Sequence, residues 1–215
     1  MTYPPDWRNA SASTDIDAVL QRHPFAQLVS TNNGLRNTRV PFASDFADGQ
    51  LTGLRAHLSG ANPQAQGLDG AQVLVIFSGP HSYVSPNWRA DKSRAGTFDY
   101  VEVRVRGTAR LVDDECWFRQ LIDDLSAMIE PQYAEVGNYP MWQTRDAPEG
   151  YIERLYPFIT CFEIAVEQVE VIAKLHQQMP AADRASIADH LQRADRDDSR
   201  AIAQLIRAGL DSPPG

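Results

Sequence analysis

The side chains with the most chemistry to offer stand in Leu54-Arg55-Ala56-His57-Leu58-Ser59-Gly60-Ala61-Asn62-Pro63-Gln64. If the first half of this run is extended, alternation puts Arg55, His57 and Ser59 on one face and Leu54, Ala56 and Leu58 on the other. The first face offers a guanidinium, an imidazole and a hydroxyl to an anion. Asn62 is a favoured N-cap residue and Pro63 suits the first helical position, so a helix is expected to start there with unpaired backbone N–H groups. A helix N-terminus beside two basic side chains is suited to a phosphate. The same residues also read as a solvated arginine, a core histidine and an ordinary helix start, and spacing alone leaves both readings open.

A second run, Ser78-Gly79-Pro80-His81-Ser82-Tyr83-Val84-Ser85-Pro86-Asn87-Trp88, is dense in small, hydroxyl and aromatic residues. It reads as a loop that approaches a planar ligand closely, Gly79 admitting backbone contact and Trp88 offering an aromatic face. The alternative is a Gly-Pro turn followed by an edge strand interrupted at Pro86. No Ser-His-Asp order, GxSxG elbow, HExxH run or Walker-type loop occurs, so no catalytic residue is assigned. Cys116 and Cys161 lack CxxC spacing and a nearby histidine cluster, so no metal site is expected and both should be reduced and buried. His176 near Asp183 and His190 near Asp189 read as surface residues.

These segments need a scaffold, and the hydrophobic pattern supplies one that is mostly β. Phe25–Ser30, then Asn33-Gly34, then a second arm reaching Arg39-Val40-Pro41-Phe42 make a hairpin. Residues 51 to 59 form another strand, and the continuously apolar Val73–Phe77 is a central one. Strict alternation in Val101-Glu102-Val103-Arg104-Val105-Arg106 marks a strand with one buried face. Phe162–Val166 and Val169–Val171 supply the last one or two strands. Trp117, Leu121, Leu125, Met128 and Ile129 recur at helical spacing after Asp113-Asp114-Glu115, giving a helix that packs on the strands. Residues 131 to 157 read as a long irregular connection that could line a pocket. After Pro180, Ile187 and Leu191, then Ile202, Leu205 and Ile206, indicate two helices.

The 215 residues carry 20 basic and 28 acidic side chains, a formal charge of −8, which excludes a generally basic nucleic-acid or anionic-membrane binder. Asp195-Arg196-Asp197-Asp198 likewise puts acids where a DNA-facing turn between the last two helices needs cations. The N-terminal residues Met1–Trp7 show no signal-peptide pattern, and no apolar run is long enough to span a membrane, so a cytoplasmic protein without membrane association is expected.

Taken together, the chain resembles the FMN-binding negative transcriptional regulators of PaiB type, within the FMN-binding split-barrel superfamily that includes the pyridoxamine-phosphate oxidases. The likeness rests on His23-Pro24-Phe25-Ala26, Arg39-Val40-Pro41-Phe42, His57 with Ala61-Asn62-Pro63-Gln64, the Gly79–Trp88 run, Tyr100-Val101, and Lys174-Leu175 followed by Ala182-Asp183-Arg184. It implies an α+β protein: a six-stranded split β-barrel over residues 1–178 with a helical extension over 179–215, forming a homodimer with FMN between subunits. Carried over, the FMN phosphate would lie near His57, Ser59 and Asn62, assisted by Arg39 or Arg55. The isoalloxazine would lie against Val40 and Pro41, closed in by Ser82, Tyr83, Ser85, Trp88 and Tyr100. DNA is a partner by resemblance only. A flavin-dependent oxidoreductase, or a dimer that has lost its cofactor, is the alternative. Three departures from the family pattern bear on FMN: Ser59-Gly60 removes a basic residue, Asp99 stands for an amide, and His176-Gln177-Gln178 stands for Ser-Gln-Asn.

Overall fold

The structure is a computed structural model that describes residues 15–133 and 140–211. The N-terminal stretch and residues 134–139 of the long connection lie outside the described residues. The described strands are β1 (Phe25–Ser30), β2 (Arg36–Pro41), β3 (Ala43–Ala47), β4 (Gln50–Ser59), β5 (Gln72–Val84), β6 (Thr97–Val112) and β7 (Ile159–Lys174). The described helices are α1 (Ile16–Arg22), α2 (Glu115–Ile129), α3 (Tyr151–Leu155), α4 (Ala181–Arg193) and α5 (Asp197–Asp211). No described helix is long and apolar enough to cross a membrane.

The strands form one sheet in the order β2-β1-β5-β6-β7-β4-β3, with β1–β2, β1–β5, β3–β4 and β4–β7 antiparallel. The expected count of six strands is corrected to seven, and hydrogen bonding does not close the sheet into a ring. The additional strand is β3, which starts directly after Phe42, where the expected hairpin arm ends. The Phe42 N–H bonds the carbonyl of Pro24 at 3.0 Å, one step further along the β1–β2 register, and the change of partner comes at the next residue, Ala43, which pairs with Arg55 of β4.

β2 and β3 are therefore the two ends of the strand order, yet a single residue joins them. In a flat seven-stranded sheet the outer strands would stand roughly 29 Å apart at about 4.8 Å per strand. A one-residue link reaches only about 7.6 Å, two backbone steps of ~3.8 Å. The sheet must curl until its ends meet at Phe42. The Phe42 ring, fully buried, fills the curl edge-on to Phe77 of β5 and Phe162 of β7, with centroids at 5.8 and 6.1 Å.

The chain divides into two compact units: Asp17–Phe77 with Arg104–Val169, and 78–103 with the chain from Glu170 onward. β5, β6 and β7 each pass from one unit to the other along their length. In the first unit α2 begins where the acidic residues indicate, Asp114 accepting hydrogen bonds from the N–H groups of Cys116 and Trp117. Its apolar stripe packs Leu121 and Leu125 on Ala43 of β3, and Phe118 on Cys161 of β7. Cys161 is buried, and burial pushes its thiol up to about 12. Cys116, by contrast, is exposed, a correction that follows from its place in the first turn of α2, off the packed stripe. In the second unit α4 buries Ile187, Ala188 and Leu191, and α5 buries Ile202, Ala203 and Ile206.

Candidate functional site

In the first unit the alternation of β4 is real: Leu54, Ala56 and Leu58 are buried while Arg55 and His57 share the other face. That face is covered by α2. Arg55 Nε donates to both oxygens of Asp45 at 2.9 and 3.0 Å, and Nη1 meets Asp124 of α2 at 2.7 Å. Burial acts to lower the Arg55 pKa, but the hydrogen bonds and charges of Asp45 and Asp124 outweigh it and hold the guanidinium protonated. One cation thus faces two carboxylates, leaving no surplus positive charge for an anion. His57 packs edge-on to Phe118, ring centroids 5.4 Å apart. Burial lowers its pKa, so the ring is neutral near pH 7, and its Nδ1 is buried without a partner.

The expected helix at Asn62 does not form; residues 60–70 make a series of turns. Asn62 caps itself instead, its Oδ1 accepting from the N–H of Gln64 at 2.9 Å while its Nδ2 donates to Thr38 at 3.1 Å. Ser59 Oγ accepts from the N–H of Ala61 at 3.3 Å, and the N–H groups of Gly60, Asn62 and Ala65 go to the carbonyls of Phe158, Ser59 and Asn62. An Asx turn with Pro63 at its centre satisfies the local pattern as well as a helix start would. The turn N–H groups counted on for an anion are therefore engaged.

Ser59, Asn62 and Thr38 come together, whereas Arg55 is turned to Asp45 and Asp124. Arg39 stands exposed on the outer side of β2, its guanidinium 5.0 Å from the centroid of the Phe25 ring and one Nη2 bond made to the Phe25 carbonyl. Val40 is buried in register with Ala26, and Pro41 is half-buried opposite Phe25.

In the second unit the Ser78–Trp88 run is not wholly a loop: β5 continues through Val84. Its burial pattern slips at Gly79–Pro80 and then alternates, burying Ser82 and Val84 and exposing His81 and Tyr83. Ser85 starts a 3₁₀ turn over Pro86–Trp88, its Oγ accepting from the N–H of Asn87 at 3.2 Å. Tyr83 and Phe98 form an exposed edge-on pair with centroids 5.7 Å apart, and the Tyr83 hydroxyl lies where a Cβ on Gly96 would sit, 2.0 Å away. A side chain there would require the exposed Tyr83 ring to shift. Tyr100 is half-buried on the face of β6 opposite Asp99.

The feature that the sequence pattern did not reveal is a buried Asp99–His176 pair. Asp99 Oδ2 and His176 Nδ1 are 2.6 Å apart, with the two side chains 0% and 2% exposed. His176 is thus corrected from a surface residue to an interior one. It lies two residues past the end of β7 with a φ of 55°. Burial raises the Asp99 pKa, opposed by the hydrogen bond and charge of His176 and by the charge of Lys174, while Asp99 Oδ1 is buried without a partner. The signal was present: Asp99 continues the buried phase of Val101, Val103 and Val105, so a carboxylate there needs an interior partner. His190, also expected at the surface, is half-buried and stacks on Trp88.

Similarity to known proteins bears on these geometries. The chain is 26% identical over 210 residues to the protease synthase and sporulation protein PAI 2 of Bacillus subtilis, covering 97% of this chain and 98% of that one. Among solved structures it is similar in fold to a FAD and heme binding protein from Mycobacterium smegmatis, with TM-score 0.51 and 15% identity over 74% of this chain and 69% of that one. A flavocytochrome from Azotobacter vinelandii gives TM-score 0.53 and 16% identity over 74% and 66% of the two chains. The family described as "Putative FMN-binding domain" matches residues 1–168, and the chain, a relative of the PAI 2 protein across nearly its full length, belongs to that family.

Proposed function

We propose that this protein is an FMN-binding homodimer with a regulatory role, the flavin being held where two copies meet. Family membership and the similarity to a sporulation protein support the reading. The single structural observation that carries it is the contrast between the two candidate cations: Arg55 is neutralised by Asp45 and Asp124, whereas Arg39 is an exposed guanidinium with one carbonyl bond. Arg39 is the group able to meet a phosphate with a charge-assisted, bidentate contact.

The described residues fit FMN in part. Ser59, Thr38 and Asn62 supply hydroxyl and amide groups, and Tyr83 and Phe98 supply exposed aromatic surface. Val40, Pro41, Ser82, Ser85, Trp88 and Tyr100 remain the proposed contacts for the flavin ring, with His57 a neutral neighbour. In this reading a second copy completes the site. Leu35 and Phe158, both exposed and apolar, are surface for that contact. Bound FMN supplies redox chemistry, while the chain's own residues bind and orient it.

The test is titration with FMN and with riboflavin, which lacks the phosphate. Wild-type protein should prefer FMN, and Arg39→Ala should weaken FMN roughly tenfold or more through loss of a charge-assisted hydrogen bond while sparing riboflavin. Arg55→Ala should chiefly lower thermal stability. Absence of saturable flavin binding would overturn the proposal. Flavin-loaded protein that oxidises NAD(P)H in air would favour the oxidoreductase alternative, and a salt-dependent shift of DNA would favour direct DNA regulation.

A further inference from the structure

Residues 81–90, the heart of the Gly79–Trp88 run, are gripped by both C-terminal helices through four contacts of different chemistry. Asp198 in the first turn of α5 comes within 3.3 Å of His81 Nδ1. The next residue, Ser199, shares a 2.8 Å hydrogen bond with Ser82, both side chains being buried. From α4, the His190 ring lies almost parallel to the Trp88 indole, at 13° with centroids 5.3 Å apart. Asp183, in the first turn of the same helix, accepts the N–H of Ala90 at 2.8 Å.

These contacts are additional to the packing that holds the helices. Their apolar stripes are already buried, and Asp183, His190, Asp198 and Ser199 are further residues directed at one short segment. Its first residues, His81–Val84, are the end of β5 beside β6 in the sheet, whereas residues 85–90 lie beyond the strand. Pro80 and Pro86 carry no N–H, and the Ser85 cap acts only within its own 3₁₀ turn. Arg89, buried, reaches forward from it, its Nη2 donating to the carbonyls of Arg94 and Ala95 at 2.8 and 3.2 Å.

We propose that the α4–α5 pair is a positioning clamp for residues 81–90, and that Asp183, His190, Asp198 and Ser199 are positioning residues that fix Tyr83 and Trp88 before a ligand arrives. A segment already ordered does not charge its ordering entropy to binding, so releasing the clamp weakens the ligand without removing any group that touches it. That consequence rests on the flavin reading; the clamp itself does not. It also assigns one face of Trp88 to His190, leaving the other face and Tyr83 for contact with a planar ring.

The test compares wild-type protein with His190→Ala, Ser199→Ala and His190→Phe, measuring amide hydrogen exchange without ligand and FMN affinity. His190→Ala and Ser199→Ala should each raise exchange in residues 82–90 by roughly tenfold while β4 and α2 stay protected, because local opening becomes easier there alone. FMN should weaken in parallel. His190→Phe keeps an aromatic stack on Trp88 and should restore both readouts. Unchanged exchange in 82–90, or a uniform rise across the chain, would overturn the clamp. If wild-type protein binds no FMN while exchange in 82–90 responds as described, the clamp stands and the flavin reading falls.

Discussion

Replacing His176 with glycine isolates the buried Asp99 carboxylate. The ring lies 2.6 Å from Asp99 Oδ2, both side chains are almost fully buried, and Asp99 Oδ1 already lacks a partner. Removing one member of such a pair costs about 3–5 kcal/mol, because it leaves an uncompensated buried charge. Glycine is chosen over alanine because position 176 has φ 55°, where a β-carbon is strained and glycine is not. The loss therefore reflects the pair and the vacated volume. Its pH dependence follows from the raised Asp99 pKa, which burial pushes up while His176 holds it down. Without His176 it rises further, so between the unfolded value near ~3.9 and the folded value the native state binds more protons than the unfolded chain. Stability must then fall as pH rises through that window, each added pKa unit contributing about 1.4 kcal/mol. Urea unfolding at pH 5 and pH 7.5 should show a larger loss at the higher pH. Adding Asp99→Asn in the same background removes the charge and should recover part of the stability. A variant within about 1 kcal/mol of wild type at both pH values, well short of the cost of a broken buried pair, would show that no buried charge is left uncompensated there. So would a double mutant no more stable than the single.

Phe42→Ala removes the ring around which the sheet curls and should cost about 3–5 kcal/mol in denaturant unfolding; a loss under about 1 kcal/mol would mean the curl does not depend on it. Asp114→Ala should cost about 1 kcal/mol by uncapping α2, read from the same unfolding curves. Gly60→Arg tests the missing phosphate cation: Gly60 has no left-handed φ, and a Cβ there would sit 3.3 Å from the Phe158 carbonyl oxygen, so a shift of a few tenths of an ångström accommodates it. Melting temperature should fall slightly, FMN should bind more tightly and riboflavin should not; unchanged FMN affinity in a stable variant would remove position 60 from the phosphate site.

Much of the fold could be read from periodicity. The buried alternation of β6, the central place of β5, the apolar stripe of α2 and the two C-terminal helices all follow from local pattern. The strand count did not, because nothing local reveals that the chain beyond Phe42 leaves β1 to pair with β4. The face of Arg55 and His57 was likewise legible, and so was α2, but not that one would cover the other. A period identifies which side of a strand is polar without naming its partner. Asn62-Pro63 misled because an Asx turn and a helix cap use the same residues. Asp99–His176 joins positions 77 residues apart, a long-range pairing that only the buried phase of β6 hinted at.

The proposed function stands on the binding of FMN by this chain. Its most direct test is the absorption spectrum of the native protein saturated with FMN and then freed of unbound flavin by gel filtration, with riboflavin as the control. Stoichiometric flavin bands should co-elute with a dimer in the FMN sample, with little riboflavin retained. Colourless protein after FMN loading, still folded and dimeric, would contradict the proposed function.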